Sequence, residues 1–183
     1  NLITNFLKII KKKKFKKTKL PKFDKSIDDR LEKKYWFDIK QKPEIVILEG
    51  WCVGAKPQSS YLLNKPVNIL EKYEDKKLKW RKCVNEKLRN EYKKLFKMLD
   101  RFIFIKASNF KMIFEWRLLQ EKKLKKKSQL NKKIMSYNEI KRFIMFYERI
   151  TLQMMKDLSK SASMVMLLKK NHEVKKLYLN HKI

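Results

Sequence analysis

The sequence predicts an α/β fold in which helices flank a mainly parallel sheet. A run of consecutive branched and aliphatic residues, 45–48, is bounded by Pro43 and Gly50, as in a strand covered on both faces. A second apolar run, 101–106, directly follows a long helical pattern. Helix and strand in alternation are typical of α/β units. The 183 residues are enough for one domain with its own core, so we expect a single domain over 1–183.

The remaining elements follow from hydrophobic periodicity, taken in chain order. Apolar side chains at a helical spacing over residues 2–10 lead into a run of lysines, so residues 1–19 are expected to form a basic helix and connection. Over residues 78–99 apolar positions recur every three or four residues, which predicts one long amphipathic helix. Helices are also expected over 110–127 and 138–160, and a third strand over 163–168.

The net charge of +30 first suggests a nucleic-acid or membrane partner. However, 42 of the 49 basic residues are Lys, and Ile, Asn, Phe and Tyr are also abundant. Codons for these residues are rich in A and T, so genomic base composition explains much of the lysine. Charge alone is therefore weak evidence of function.

Several functional classes are excluded or disfavoured by simple counts. Because glycine occurs only at Gly50 and Gly54, the sequence contains neither a G-x-x-x-x-G-K-[ST] phosphate loop nor a G-x-G-x-x-G fingerprint. Two cysteines 31 residues apart and two histidines predict neither a disulfide framework nor a zinc site. Without a long apolar run or a signal peptide, a cytoplasmic protein is expected. A first residue that is Asn1 rather than Met suggests a chain that begins inside a longer protein.

Glu49 is the first candidate site residue. It lies at the carboxyl end of the predicted strand over 43–50, where open α/β sheets bind ligands. A carboxylate there can hold Mg²⁺, directly or through water, or orient an attacking group. The alternative is a glutamate that caps a turn before Gly50, but the Gly-containing loop that follows favours the functional interpretation.

A second polar cluster follows Pro21 and contains Asp24, Lys25, Asp29 and Arg30. Such a segment can bind a small polar substrate. The alternative is a helix start with Ser26 as N-cap and carboxylates in the first turn, and spacing alone favours this alternative.

Residues 45–58 read Ile-Val-Ile-Leu-Glu-Gly-Trp-Cys-Val-Gly-Ala-Lys-Pro-Gln. This block resembles the glycerate kinase-like branch of P-loop kinases, related to uridine kinase and phosphoribulokinase, in which a hydrophobic strand ends in Glu-Gly-Trp. A Trp-Arg-x-x-Gln-Glu block at 116–121 supports the resemblance, and weaker matches extend it from about residue 20 to the C-terminus.

The resemblance implies a P-loop NTPase-like fold and a kinase that transfers the γ-phosphoryl group of ATP to a hydroxyl of a small acid such as D-glycerate, with Mg²⁺. Glu49 matches the catalytic strand-end acid, near Mg²⁺ or its waters. Arg117 matches the catalytic arginine of a lid-like helix that contacts phosphate. The segment with Asp24, Lys25, Asp29 and Arg30 matches the one assigned to substrate recognition.

Three further residues carry weaker expectations from the same resemblance. Arg149 could contact phosphate, but an ion pair with a neighbouring helix is an equally good interpretation. The turn 169–173, with Asn171 and His172, is expected to lie near the adenine of ATP.

The sequence also departs from the family pattern in one respect. The phosphate loop, its lysine and its Mg²⁺-binding Ser or Thr belong to a strand and helix that precede the matched region. We therefore expect the C-terminal portion of a P-loop kinase, here lacking the N-terminal phosphate-loop unit. The missing strand would lie beside the strand of Glu49, so the isolated chain is expected to be unstable or inactive.

Two alternative functions stay open: a basic nucleic-acid-binding protein, and a kinase remnant with no function. No recognisable nucleic-acid-binding motif occurs, and the aromatics do not form a stacking pattern on paired strands. The expected partners are ATP and a small hydroxy acid, with no nucleic acid and no membrane. The sequence does not predict the oligomeric state.

Overall fold

A computed structural model describes residues 2–24, 27, 29–127 and 134–180, the side chains of 126 and 127 aside. The fold is α/β, as predicted, with helices and a three-stranded sheet that is mixed rather than mainly parallel, preceded by two small antiparallel strand pairs. Within the described residues, no helix combines the length and the hydrophobicity needed to cross a bilayer.

The N-terminal region forms the predicted helix and then two strand pairs. Helix α1, Leu2–Ile10, buries Phe6, Leu7 and Ile10 in a cluster with Leu95. Four short strands and a 3₁₀ turn follow: β1 (Thr18–Leu20), β2 (Phe23–Asp24), β3 (Asp29–Arg30), the turn Lys33–Tyr35, and β4 (Phe37–Ile39). Strand β1 pairs with β4 and β2 pairs with β3, both antiparallel.

The hairpin of β2 and β3 overturns the helix start considered for this segment. Asp29, which that alternative places in the first helical turn, instead lies in β3 and pairs with Asp24 of β2. The proposed cap, Ser26, lies outside the described residues.

Helical segments fill the middle of the chain: α2 (Ser60–Asn64), α3 (Ile69–Tyr73), α4 (Lys79–Lys87), a π-helix (Leu88–Tyr92) and α5 (Lys93–Phe96). The long helix predicted over 78–99 corresponds to the last three, which follow one another without a break. The π-helical turn shifts the helical phase and still leaves both Leu88 and Leu95 buried.

The central sheet has the order β5–β6–β7. Strands β5 (Ile103–Lys106) and β6 (Met164–Leu168) are parallel and were both predicted, whereas the antiparallel strand β7 (Val174–Leu179) was not. Two helices, α6 (Phe110–Lys127) and α7 (Tyr137–Ser161), connect β5 to β6. A capping box between Ser136 and Glu139 begins α7, which packs against α6 and β5.

The strand predicted over 43–50 is not a strand in this structure. The backbone there makes no hydrogen bond with any other described residue. A strand requires a partner to satisfy its amides and carbonyls. Here the apolar run lines one wall of a cavity, and β5 lines the same cavity.

Candidate functional site

A large open cavity separates residues 43–51 from β5. Its volume is about 1490 Å³, and α6 and α7 contribute further lining side chains. Ligand pockets of about 300–1,000 Å³ suit drug-sized molecules, so this cavity is larger than such a ligand needs.

Glu49 lies at the end of the apolar run, and its side chain lines this cavity. The residue is exposed, and no hydrogen bond or ion pair joins it to another described residue. Its carboxylate oxygens are therefore available to a ligand, a water or a metal ion.

Arg117 lies on α6 and lines the same cavity. Its Nη1 donates to Oε1 of Gln120 at 2.6 Å, and its Nη2 pairs with the buried carboxylate of Glu121. The guanidinium lies 5.4 Å from the ring centre of Phe143. The buried Nε has no hydrogen-bond partner among the described residues. Arg117 is thus held in place, with one buried donor unused.

The loop after Glu49 is anchored to the rest of the fold. The indole of Trp51 stacks on Tyr147 with ring centres 5.2 Å apart, and its Nε1 donates to Oγ1 of Thr151 at 2.9 Å. Gly54 has a φ of 88°, and a Cβ there would lie 2.7 Å from the ring of Phe102. Glycine is therefore required both by the left-handed backbone and by this close approach.

The turn between β6 and β7 also reaches this cavity. His172 lines it and stacks on Trp116, with ring centres 4.7 Å apart. The indole of Trp116 donates to the carbonyl of Lys170 at 2.8 Å, which joins the turn to α6. Asn171 does not line the cavity, and its Oδ1 accepts from the amide of Glu173 at 3.3 Å.

The segment expected to recognise substrate lies elsewhere. Asp24, Asp29 and Arg30 belong to the β2–β3 hairpin, and none of them lines the cavity. Oδ1 of Asp29 accepts the amide of Arg30 at 2.6 Å. Lys25 lies outside the described residues. The structure therefore brings together Glu49, Arg117 and His172, but not this hairpin.

Arg149 forms the ion pair that was the alternative to a phosphate contact. Its Nε and Nη2 donate to the two carboxylate oxygens of Glu71, at 2.7 and 2.6 Å. Its remaining bonds go to Oε1 of Gln58 and to the carbonyls of Leu62 and Lys65. A guanidinium has five N–H donors, and these five bonds occupy them all. In this arrangement no donor of Arg149 is left for a phosphate.

A second buried arginine, which the sequence did not single out for this role, extends the same network. Nε of Arg81 donates to Oδ2 of Asp75 at 2.9 Å, and its Nη1 lies 3.8 Å from Oε2 of Glu71. Glu71 and Asp75 are four residues apart in the sequence. This spacing, which places two side chains on the same face of a helix, is the sequence signal for their proximity. The network ties α3 and α4 to α7.

Asp75 gives this network a pH dependence. Burial raises its pKa, but hydrogen bonds from Arg81 and from the amides of Trp80 and Arg81 outweigh it, so the net pKa is lowered. A lowered folded-state pKa stabilises the fold above the unfolded value of about 3.9, and this contribution is lost as the pH falls through the folded value.

We therefore expect the free energy of unfolding to fall as the pH drops below about 4. Asp75→Asn should remove part of this dependence as well as lowering stability at neutral pH. Urea denaturation of both proteins at a series of pH values measures how the free energy of unfolding of each depends on pH. An equal pH dependence of the two proteins below pH 4 would contradict the assignment.

Two curated proteins are similar to this chain in sequence. An uncharacterized kinase of Schizosaccharomyces pombe, mug58, is 29% identical over 151 residues, which are 79% of this chain and 52% of that protein. The chloroplastic D-glycerate 3-kinase of Arabidopsis thaliana is 27% identical over 135 residues, 72% of this chain and 26% of that protein. No protein-family model matches the chain.

Solved structures agree in fold. D-glycerate 3-kinase from Cryptococcus neoformans superimposes with a TM-score of 0.73 and 21% identity, over 98% of this chain and 66% of that one. The YGR205w protein gives a TM-score of 0.64 and 23% identity, over 97% and 62%. The chain is thus similar in sequence to a plant D-glycerate 3-kinase and in fold to a fungal one. The chain spans about half the length of the S. pombe relative and about a quarter of the plant one.

The Glu-Gly-Trp block, which carries the resemblance to the glycerate kinase-like branch, anchors its own loop in the structure. Glu49 lies open to the cavity, while Trp51 fastens the loop to α7 and Gly54 permits its turn against Phe102. The three residues together present one free carboxylate on an anchored loop.

Proposed function

We propose that this chain forms part of an ATP-dependent small-molecule kinase that phosphorylates a hydroxyl group of a small acid, with D-glycerate as acceptor. The supporting observation is that Glu49 and Arg117, the two residues matched to catalytic positions, line one cavity. Two relatives carry the name D-glycerate 3-kinase and a third is named a kinase.

Mg²⁺ is the metal that this activity implies, and Glu49 suits it. The described residues hold no group of three or more His, Cys, Asp or Glu side chains that could bind a metal by themselves. Mg²⁺ does not need such a group, because it is commonly bound by one or two carboxylates together with water and substrate phosphates. Bound with ATP, the ion neutralises charge on the phosphates. Glu49 would hold it directly or through a water.

Arg117 would supply positive charge to the phosphoryl group being transferred. Catalysis in phosphoryl transfer is mainly positioning and charge stabilisation, so a held guanidinium is more useful than a mobile one. Its bonds to Gln120 and Glu121 restrict the side chain before any ligand binds.

Recognition of the two substrates would involve the remaining predicted residues. Arg30 and Lys25 are the cations proposed to pair with a carboxylate of the acceptor, and Asp24 and Asp29 share their segment. Because Asp24, Asp29 and Arg30 do not line the cavity, this role requires their segment to approach the bound acceptor. The Trp116–His172 stack is proposed to lie near the adenine, with Asn171 beside it.

The phosphate cradle would come from polypeptide other than these 183 residues, because their sequence contains no phosphate loop. The test is a hybrid protein that joins this chain to the part of the Cryptococcus kinase outside the matched region. Phosphate transfer from labelled ATP to D-glycerate, and ATP binding measured separately, are the readouts.

We expect the hybrid to phosphorylate D-glycerate and the 183-residue chain alone to show no activity above background. A folded hybrid that binds ATP but phosphorylates no small hydroxy acid would contradict the proposal. Salt-sensitive RNA binding by the chain, without phosphate transfer, would instead support the nucleic-acid alternative.

A further inference from the structure

A continuous row of aromatic contacts joins the two candidate catalytic positions. The guanidinium of Arg117 lies over the ring of Phe143, 5.4 Å from its centre. The ring of Phe143 lies 5.2 Å from that of Tyr147, which in turn stacks on Trp51 at 5.2 Å. Trp51 follows Glu49 by two residues, so the row begins at one candidate residue and ends beside the other.

The row lies along one face of α7. Phe143, Tyr147 and Thr151 follow one another at intervals of four residues, the spacing that places side chains on the same face of a helix. Thr151 is buried, and its Oγ1 accepts the indole Nε1 of Trp51 at 2.9 Å. Helix α7 therefore holds Trp51 twice, by a stacked ring and by a hydrogen bond.

The two rings of α7 lie behind the wall of the cavity. Arg117, Trp51 and Thr151 line the cavity, whereas Phe143 and Tyr147 do not. A ligand in the cavity would therefore touch the guanidinium and the loop but neither of these two rings. Any contribution of the rings to catalysis has to pass through the groups that they hold.

Arg117 gains a fixed orientation from its contact with Phe143. Its hydrogen bonds to Gln120 and Glu121 fix one edge of the guanidinium, and the ring limits its movement on one side. An aromatic ring within about 6 Å also attracts the cation. Because phosphoryl transfer depends on where positive charge is placed, a displacement of this side chain is costly.

We propose that Phe143 and Tyr147 are positioning residues, which link Arg117 to the loop of Glu49 and hold the two in a fixed relation across the cavity. Loss of either ring frees one side of the cavity from the other. The effect on catalysis rests on the proposed function, whereas the physical link between the two sides does not.

The first experiment tests the link without any activity. The 183-residue chain is labelled with 5-fluorotryptophan, and its four fluorine signals are assigned by replacing each tryptophan in turn with phenylalanine. Phe143→Leu should shift or broaden the fluorine signal of Trp51, although Tyr147 lies between the two in the row.

Phe146→Leu is the matched control, because it makes the same chemical change three residues further along α7. The ring of Phe146 lies 6.3 Å from that of Trp80, and the guanidinium of Arg142 lies 5.7 Å from it. This variant should change the fluorine signal of Trp80 and leave that of Trp51 at its wild-type position.

The second experiment measures steady-state kinetics in the hybrid kinase, at a temperature at which circular dichroism shows every variant fully folded. Phe143→Leu and Tyr147→Leu should each lower kcat by at least about tenfold and change KM for either substrate by less than about twofold, because misplacement affects the transition state more than binding. Phe146→Leu should leave both constants unchanged.

A double-mutant cycle separates positioning from general destabilisation. Arg117→Lys keeps the charge but changes the group that Phe143 contacts. In this background Phe143→Leu should lower kcat by no more than about twofold further, because residues that act through one another are not additive. Tyr147→Leu should likewise lose most of its effect in the Glu49→Gln background. A general loss of stability would instead multiply the effects in both backgrounds.

Three results would overturn the proposal. These are an unchanged Trp51 signal in Phe143→Leu, equal losses of kcat in Phe143→Leu and Phe146→Leu, and multiplicative effects in the double-mutant cycles. Fluorine signals that change as expected, in a chain whose hybrid transfers no phosphate, would support the link and count against the proposed function alone.

Discussion

Arg149→Met is expected to lower the free energy of unfolding by about 3–5 kcal/mol, the cost typical of removing one partner of a buried ion pair. The side chain of Glu71 is 5% exposed and would lose two charge-assisted hydrogen bonds. Oε1 of Gln58 and the carbonyls of Leu62 and Lys65 would each lose one hydrogen bond as well. Urea denaturation followed by circular dichroism measures the loss.

Arg142→Met is the matched control. Arg142 lies on the same helix and also pairs with a glutamate, Glu74, through its Nη1 and Nη2 atoms. Both of those side chains are 51% exposed, so solvent screens the pair and its loss should destabilise the fold far less than the loss of the buried pair. Equal, small losses for the two variants would contradict the structural role assigned to Arg149.

The elements that the sequence predicted correctly are those specified by local pattern. Helix α7 begins with a Ser136–Glu139 capping box and repeats apolar residues at a helical spacing, so no distant partner is needed to recognise it. Strand β7 carries no comparable signal, because every one of its residues is exposed. Its conformation depends on pairing with β6, which a local pattern does not encode.

For residues 43–50 the error is the opposite one, because a strand was predicted and none is present. The apolar run is typical of a buried central strand, and its backbone is indeed not helical. Strand formation also requires a neighbour on at least one side, and none of the described residues pairs with it. The prediction of a strand was therefore wrong for this structure, because an apolar run does not show whether a pairing partner is present.

The candidate site was predictable where a short motif carries it. Glu49 and Arg117 were chosen from two blocks 68 residues apart, and the structure places both on one cavity. The pairing of Arg149 with Glu71, 78 residues away, could not be read from spacing. The sequence left its phosphate contact and its ion pair equally open, and only the fold shows which partner it has.

Glu49→Gln is expected to reduce the turnover rate of the hybrid kinase by at least about 10²-fold, because phosphoryl transfer depends on the positioning of its reacting groups and on charge stabilisation. The amide keeps the size of the side chain but removes the charge that would hold Mg²⁺ or orient the acceptor hydroxyl. Because Glu49 has no partner among the described residues, the free energy of unfolding should stay unchanged. Steady-state kinetics with D-glycerate, together with urea denaturation, separate the two effects.

Glu44→Gln is the control for this prediction, because it makes the same chemical change in the same segment. Glu44 is also exposed and lines the same cavity, five residues before Glu49. If the general negative charge of the cavity wall determined the rate, both variants would lose activity equally. If the position of the carboxylate determines the rate, only Glu49→Gln loses turnover. Both variants should then bind ATP equally well in the absence of Mg²⁺. Equal losses of turnover would therefore contradict a specific catalytic role for Glu49 and would show that its charge is one of several that contribute.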